Sequence, residues 1–465
     1  MPLQKPGKPA GPPSNLRPII LLSILRKILA ICLIQRIGDK LDQHIPVEQA
    51  AYRKGRGTTE HIFAFKLLAE KAITSKNYMV NITLMDMSKA FDTISRKTLM
   101  DDLRTILTPG ELHMIKVLIE DVNLTVKIGN ETSKPFTTKI GIPQGDCLSP
   151  ILFTLYLAKT LEKTTNSTNV TNHDHNYGKP PKDSLEEPNP YLPHHLADHD
   201  YSYHQDSGLL ITPKYADDIS WGAANCKHKI THELKNTIPK LKERSLKVNE
   251  TKTEHYEISA RSDNNWKKCK ILGSFLDTQE DIKRRKVLAN NALSKLKNIF
   301  EDRKLENHIK IRIFRACVES VFLYNSELWT INKKLENDID SYHRRLLRTV
   351  INIKWPNKIN SVKLYEITKQ KNWSTTIRTR RLKWLGHAIR LPDNTPAKQA
   401  LSESMRKTKK YRGGQKYTWL KTVEQDLNKI ELSMTSALEI AQDRDRWRRT
   451  VFKSMNAPSA YAPRA

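Results

Sequence analysis

Asp217 and Asp218 stand side by side in TPKYADDISW (212–221), and a third carboxylate, Asp86, lies at the end of the apolar run YMVNITLMDM (78–87), 131 residues before Asp217. Asp is a common turn residue because its side chain hydrogen-bonds nearby backbone, so the pair alone reads as the polar tip of a hairpin. The same side chain is also a hard oxygen ligand for Mg²⁺, which takes a few carboxylates and completes its shell with phosphate and water. Phosphoryl transfer onto a growing chain uses two divalent ions about 4 Å apart, one beside the attacking hydroxyl and both at the reacting phosphate. One acid at a strand end and another on an adjacent hairpin turn would be the smallest protein set for such a site. Spacing alone does not show that the two positions meet.

The elements that must position these acids follow from periodicity and punctuation. Residues 78–87 read as a buried strand ending in Asp86. Ile24, Ile28, Ile31, Ile34 and Ile37 recur at helical spacing over 23–41, and 59–72 reads as a second helix. Helical pattern over 101–122 breaks at Pro109-Gly110. Residues 124–128 and 136–140 read as a hairpin, and Ser149-Pro150 opens an apolar helix to Leu161. Lys227–Arg244 reads as helix despite Pro239, and 246–258 with 269–276 as two strands around a polar turn. From Val287 onward the chain reads as helical, with core stripes at Leu293, Leu296, Phe300 and at Ile309, Ile313, Cys317, Val321.

Composition narrows the partners. The net charge of +29 over 465 residues calls for an acidic polymer or surface, nucleic acid first. Residues 341–420 hold 20 Lys/Arg against three Asp/Glu, more than half of that excess, interleaved with Trp373, Trp384, Tyr411, Tyr417 and Trp419. Bases stack on such rings while cations neutralise phosphates; the competing reading is a solvated face over core tryptophans. No apolar run approaches the roughly 18 residues that span a bilayer. Five cysteines without a C-x-x-C pair point to a reducing compartment and away from a zinc ribbon. Residues 162–210 are Asn/Thr/Pro/His-rich and net acidic, an insertion expected to be disordered. Their histidines lack metal-ligand spacing.

Taken in order, the motifs resemble those of reverse transcriptases, in particular of non-LTR (LINE-like) retrotransposons. Tyr215-Ala216-Asp217-Asp218 resembles the signature turn, and Asp86-Met87-Ser88-Lys89-Ala90-Phe91-Asp92 the D-x-x-K-A-F-D segment. Gly141-Ile142-Pro143-Gln144-Gly145-Asp146-Cys147-Leu148-Ser149-Pro150 is similar to G-x-P-Q-G-x-x-L-S-P. Residues 15–19 and 49–58 resemble finger segments, 246–253 and 271–273 the closing palm segments. Arg381–His387 and Asp443–Arg448 resemble the C-terminal part of such polyproteins. One YADD is weak; seven segments in the family's order are specific.

The resemblance implies an α+β right-hand polymerase: partial fingers (1–80), a palm with a small antiparallel sheet (81–278), a thumb (279–340) and a basic helical nucleic-acid-binding region (341–465). It implies two Mg²⁺ or Mn²⁺ ions on Asp86 and Asp217, supported by Asp218, with Lys252 near the departing pyrophosphate. Phe91 would lie beneath the sugar and reject a 2′-hydroxyl. Gln144 and Gly145 would approach the nucleotide, and Arg53 and Arg56 its triphosphate or the template. Implied partners are an RNA template, a DNA primer or target and dNTPs, with no membrane and an intracellular location in nucleus or cytoplasm. The competing expectation is a repurposed fragment of a longer polyprotein that binds nucleic acid without polymerising.

Overall fold

A computed structural model describes residues 2–4, 9, 12, 15–120, 122–165, 208–353, 356, 357, 359–409 and 416–456. The insert's residues 166–207, with their six histidines, lie outside the described residues, as does Tyr411. The first residues assigned to that insert, 162–165, instead continue the helix Ser149–Thr165. The chain forms two compact units, one of residues 1–58, 81–185 and 208–255, the other of 59–80, 186–207 and 256–465. These units cut across the four regions expected from sequence.

The first unit is built on strands of a five-stranded sheet and of a separate two-stranded ladder. Its strands are β1 (Val80–Met85), β2 (Met87–Ser88), β3 (Leu210–Ile211), β4 (Lys214–Tyr215), β5 (Asp218–Ala224), β6 (Lys247–Val248) and β7 (Glu254–Ile258). The order β4-β5-β1-β7 puts β5 beside β1, and β3 also pairs with β5. β4 and β5 are antiparallel, with Lys214 opposite Ile219 and Tyr215 opposite Asp218. β6 runs antiparallel to β2, with Val248 opposite Met87. Burial of both faces along β5 and most of β1 explains their continuous apolar character.

Helices cover this sheet. Thr108 and Glu111 form a reciprocal capping box at the start of Pro109–Ile119, which satisfies amide groups that the helix leaves unpaired and fixes the expected break. The unit's core joins Ile37, Leu41, Leu99, Leu103, Ile115, Phe153, Tyr156, Trp221 and Leu241. Helix Ile24–Asp42 starts as read, with the Ser23 hydroxyl accepting from the Arg26 N–H at 3.3 Å. Its buried face is Ala30, Leu33, Ile37 and Leu41, however, while Ile24, Ile28 and Ile31 are exposed. The isoleucine stripe followed one permitted register of the helix; the partner surface chose another.

In the second unit, helix Thr58–Thr74 is buried along almost its whole length, charged residues included. Lys66 donates to the Thr278 hydroxyl at 2.8 Å, Glu70 accepts from the Trp419 N–H at 2.6 Å, and Lys71 pairs with Glu403 at 2.6 Å. Buried charges require such partners. Lys270–Ile271 pairs with Ser274–Phe275 in a hairpin of its own, not with 246–258 as the sequence led one to expect. Leu272 and Gly273 take the positive φ that this tight turn demands. The core stripe in the next helices is Ile311, Phe314, Val318 and Phe322, one residue off the expected face, and Cys317 is exposed. A π-helical turn follows at Arg315–Glu319.

The tryptophans of the basic region divide. Trp373 and Trp419 are fully buried, with their indole N–H groups donating to Glu319 at 3.0 Å and to the Glu327 carbonyl at 2.9 Å. They are core, and the stacking role expected for them is withdrawn. The segments Arg381–His387 and Asp443–Arg448 also meet inside this unit. A Cβ on Gly386 would lie 2.2 Å from the Trp447 ring, whose N–H donates to the Leu382 carbonyl at 2.9 Å. Only glycine lets the two helices approach this closely.

His343 lies in the same core, its ring stacked 4.3 Å from that of Trp373, with neither nitrogen hydrogen-bonded among the described residues. Burial pushes His343 and His61 down to about 3. In the unfolded chain both titrate near 6.5, so between pH 6.5 and 3 the unfolded state binds more protons. Stability is therefore full above about pH 7 and falls on acidification, by about 2 kcal/mol per histidine at pH 5. Denaturant titrations at pH 7.5 and pH 5 are expected to show this loss, and His343→Phe to remove about half of it.

Candidate active site

The three acids meet at one edge of the first unit's sheet. Asp86 follows β1 directly, where the chain leaves the sheet before β2. Asp217 occupies the loop between β4 and β5, and Asp218 is the first residue of β5, the strand beside β1. With Tyr215 opposite Asp218, the loop holds only Ala216 and Asp217. Ala216 takes φ +54°, as two-residue hairpins require at this position. The hairpin-tip reading and the metal-site reading of TPKYADDISW are thus compatible.

Asp218 lies in the fields of both other acids. Asp218 is pushed up to about 7, first by burial, then by the charges of Asp217 and Asp86, with Lys252 pulling it back. Buried like charges raise one another's proton affinity, and a bound cation relieves that repulsion. Among the described residues no group of three or more His, Cys, Asp or Glu side chains is arranged to hold a metal ion. The carboxylate oxygens of the three acids are of the chemical kind that Mg²⁺ takes together with phosphate and water.

Asp86 is held from the far side of the site. Its carboxylate accepts from Lys252 at 2.8 Å and from the Asn249 amide at 3.4 Å, while its carbonyl accepts from the Asn249 N–H at 2.8 Å. The β6–β2 ladder and the short 3-10 turn Glu250–Lys252 put both residues there. Lys252 thus meets an acid, a position that the sequence resemblance assigned to a departing pyrophosphate. Asn249 was not singled out from sequence, and neither was Tyr52. Tyr52 is half exposed, and its phenol is raised by burial and by the fields of Asp217, Tyr215 and Asp218, which sets it beside the acids.

The G-I-P-Q-G segment is tied to the Phe91–Ile94 turn. The Ile142 N–H donates to the Phe91 carbonyl at 2.9 Å, the Gly141 N–H to the Ile94 carbonyl at 2.8 Å, and the Gln144 amide to Asp92 at 2.8 Å. Phe91 stays partly exposed while its ring stacks on Phe153 at 4.4 Å, which fixes its orientation. Arg96 donates to the Gly141 carbonyl at 2.7 Å. Asp92 therefore has a visible structural task. Gly145 has φ +112°, and a Cβ there would stand 2.7 Å from the Ile20 carbonyl. Its glycine is required by that backbone approach, a reason sequence reasoning attributed to the nucleotide.

The basic loop is less open than expected. Arg53 donates to both Asp42 carboxylate oxygens, at 2.6 and 3.0 Å, and to the carbonyls of Asp42, Pro46 and Gln49. Every N–H of its guanidinium is engaged, so Arg53 braces the loop rather than presenting a free fork to phosphate. Arg56 is half buried and donates to the Val47 carbonyl at 2.9 Å.

Three carboxylates thus gather where two neighbouring strands end and begin, in the same unit as an aromatic and glycine-turn platform. A sequence profile described as "Reverse transcriptase (RNA-dependent DNA polymerase)" matches residues 3–276, and the chain belongs to that family. Over 375 residues it is 25% identical to the probable RNA-directed DNA polymerase from transposon BS of Drosophila melanogaster, covering 75% of this chain and 37% of that protein. It is 28% identical over 156 residues to the RNA-directed DNA polymerase from mobile element jockey of Drosophila funebris, covering 33% of this chain and 17% of that one. A retrovirus-related Pol polyprotein from the type-1 retrotransposable element R2 of Popillia japonica is 29% identical over 154 residues, 32% of this chain and 21% of that one. The non-LTR resemblance read from the motifs is thereby supported. The chain spans little more than a third of the transposon BS protein's length. Among solved structures, apo telomerase from Candida tropicalis aligns over 91% of this chain and 61% of that one, with 13% identity and a TM-score of 0.39.

Gly145→Ala is expected to lower the unfolding free energy by about 2 kcal/mol, because it combines a left-handed φ with a backbone clash. Denaturant unfolding checks this. An unchanged midpoint with weaker dNTP binding would instead restore the nucleotide as the reason for glycine.

Proposed function

We propose that this chain carries an RNA-directed DNA polymerase centre serving retrotransposition, which adds deoxynucleoside monophosphates to a primer 3′-hydroxyl. The observation that carries this reading is the placement of Asp86 at the end of β1 and of Asp217 and Asp218 at the start of β5, the strand beside it, with Asp218 in the fields of the other two. In the reaction a bond forms from the 3′-oxygen to the α-phosphorus, the bond to the β-phosphate oxygen breaks, and pyrophosphate leaves. Divalent ions held by Asp86 and Asp217, with Asp218 beside them, would activate the hydroxyl and neutralise charge on the reacting phosphate.

The chain's own residues orient the reactants. Lys252 and Asn249 hold the Asp86 carboxylate in place, and the Lys252 ammonium offsets negative charge where pyrophosphate would leave. Phe91, locked on Phe153, presents a ring beneath the deoxyribose, where a 2′-hydroxyl would clash. Gln144, held by Asp92, and the exposed Gly145 backbone face the incoming nucleotide, and Arg56 its triphosphate or the template. In this reading the fingers are residues 1–80, the palm 81–278 and the thumb 279–340. The basic helical region from 341 to 465 holds the template–primer by its phosphates. The template is RNA, the primer a DNA end, and the setting intracellular, in nucleus or cytoplasm. Among the described residues no helix is long and apolar enough to cross a membrane.

Primer extension on an RNA template with dNTPs and Mg²⁺ tests the reading, with Asp217→Asn beside the unaltered protein. The variant is expected to lose activity by about 10³-fold or more while keeping RNA binding. No extension by the unaltered protein, with RNA still bound, would favour the nucleic-acid-binding fragment instead. Phe91→Val is expected to raise the rNTP-to-dNTP ratio of kcat/KM by about tenfold or more. An unchanged ratio would remove Phe91 from sugar selection.

A further inference from the structure

The turn that carries Asp217 is clamped by a residue far from it in sequence and outside the acidic motifs. Gln49 is 2% exposed, and its side-chain amide lies along the peptide groups of Ala216. Its Oε1 accepts from the Ala216 N–H at 3.0 Å, and its Nε2 donates to the Ala216 carbonyl at 3.3 Å. The same oxygen accepts from the Ala51 N–H at 3.1 Å, which holds the amide in one orientation. Both backbone polar groups of a buried residue at φ +54° are thus satisfied by one side chain. Non-glycine residues enter this region rarely and persist there when their surroundings fix them.

The clamp itself is anchored. Gln49 and Lys214 form a parallel bridge, with the Lys214 N–H donating to the Glu48 carbonyl at 2.9 Å and the Ala50 N–H to the Lys214 carbonyl at 3.0 Å. Arg53 ties the Gln49 carbonyl to Asp42. A continuous chain of hydrogen bonds therefore runs from helix Ile24–Asp42 to the residue before Asp217. Rotation of the Ala216 peptide would swing Asp217 away from Asp86, and errors of about 1 Å in reacting geometry cost about 100-fold in rate.

We propose that Gln49 is a positioning residue of the polymerase centre, fixing the left-handed Ala216 and through it the direction of Asp217. This rests on the function proposed above. Gln49 is buried and touches no substrate, so its effect falls on turnover, not on nucleotide affinity.

The test uses the full chain with Gln49→Met, which keeps side-chain length and bulk but removes the amide. Steady-state primer extension is expected to show kcat lowered by about tenfold or more, with the KM for dNTP and the Kd for template–primer within about threefold. Without substrate, amide exchange in 214–219 is expected to quicken by about tenfold, while exchange in β1 stays unchanged. Exchange needs no activity, so an inactive unaltered protein would sink the polymerase reading while the clamp is still decided by exchange. Unaltered exchange at 214–219 in the folded variant would overturn the proposal, as would a raised KM with unchanged kcat. Should Gln49→Met fail to fold, Gln49→Glu takes its place, since it keeps the acceptor for the Ala216 N–H and loses the donor to its carbonyl. Unaltered kcat and exchange in that variant would overturn the proposal equally.

Discussion

Carboxylates forced together at the edge of a sheet repel one another, and the first unit is arranged around that repulsion. Asp218 answers by holding its proton to about pH 7, and Asp86 by taking the Lys252 ammonium at 2.8 Å. Neither response removes the cost of the cluster, because buried like charges are compensated fully only by opposite charge. The fold keeps them together by main-chain means. β1 delivers Asp86 to its end, a two-residue loop delivers Asp217, and the adjacency of β5 and β1 brings Asp218 within the field of both.

The surrounding residues divide between those left accessible and those that hold the frame. Phe91 and Gly145 remain accessible, whereas Asp92, Arg96 and Arg53 spend their polar groups on neighbouring backbone and side chains. The division explains why several motif residues are polar although they face no substrate. Gln144 bonded to Asp92, and Gly141 against the Asp92 carbonyl, make two separated motifs into one rigid platform. For the reaction proposed, such rigidity would matter, since misalignment of reacting groups is costly in rate.

The second unit follows a different logic. Its excess positive charge lies over a core of stacked and edge-on aromatic rings, with Trp373, Phe322 and His343 in mutual contact. Charged side chains on helix Thr58–Thr74 are buried but paired. Aromatic residues interleaved with lysine and arginine look alike in sequence whether they stack on bases or on one another. Burial alone separates the two cases, and here it assigns Trp373 and Trp419 to the core.

By itself the sequence determined the chemistry and the local elements. Strand, turn and capping signals located Asp86 and Asp217 at element ends, and motif order identified the family. Pro109-Gly110 and Ser149-Pro150 marked helix boundaries because their backbone constraints act within a few residues. What only the tertiary structure decided is which of several equivalent faces and partners each element uses. Helix Ile24–Asp42 buries Ala30 and Leu33 instead of its isoleucine stripe, and 270–275 closes on itself instead of pairing with 246–258. Gln49 and Asn249 carry no local signal, since an amide shows its purpose only once a distant backbone is brought against it. Periodicity fixes the spacing of side chains along one element, while long-range contact fixes what each of them meets.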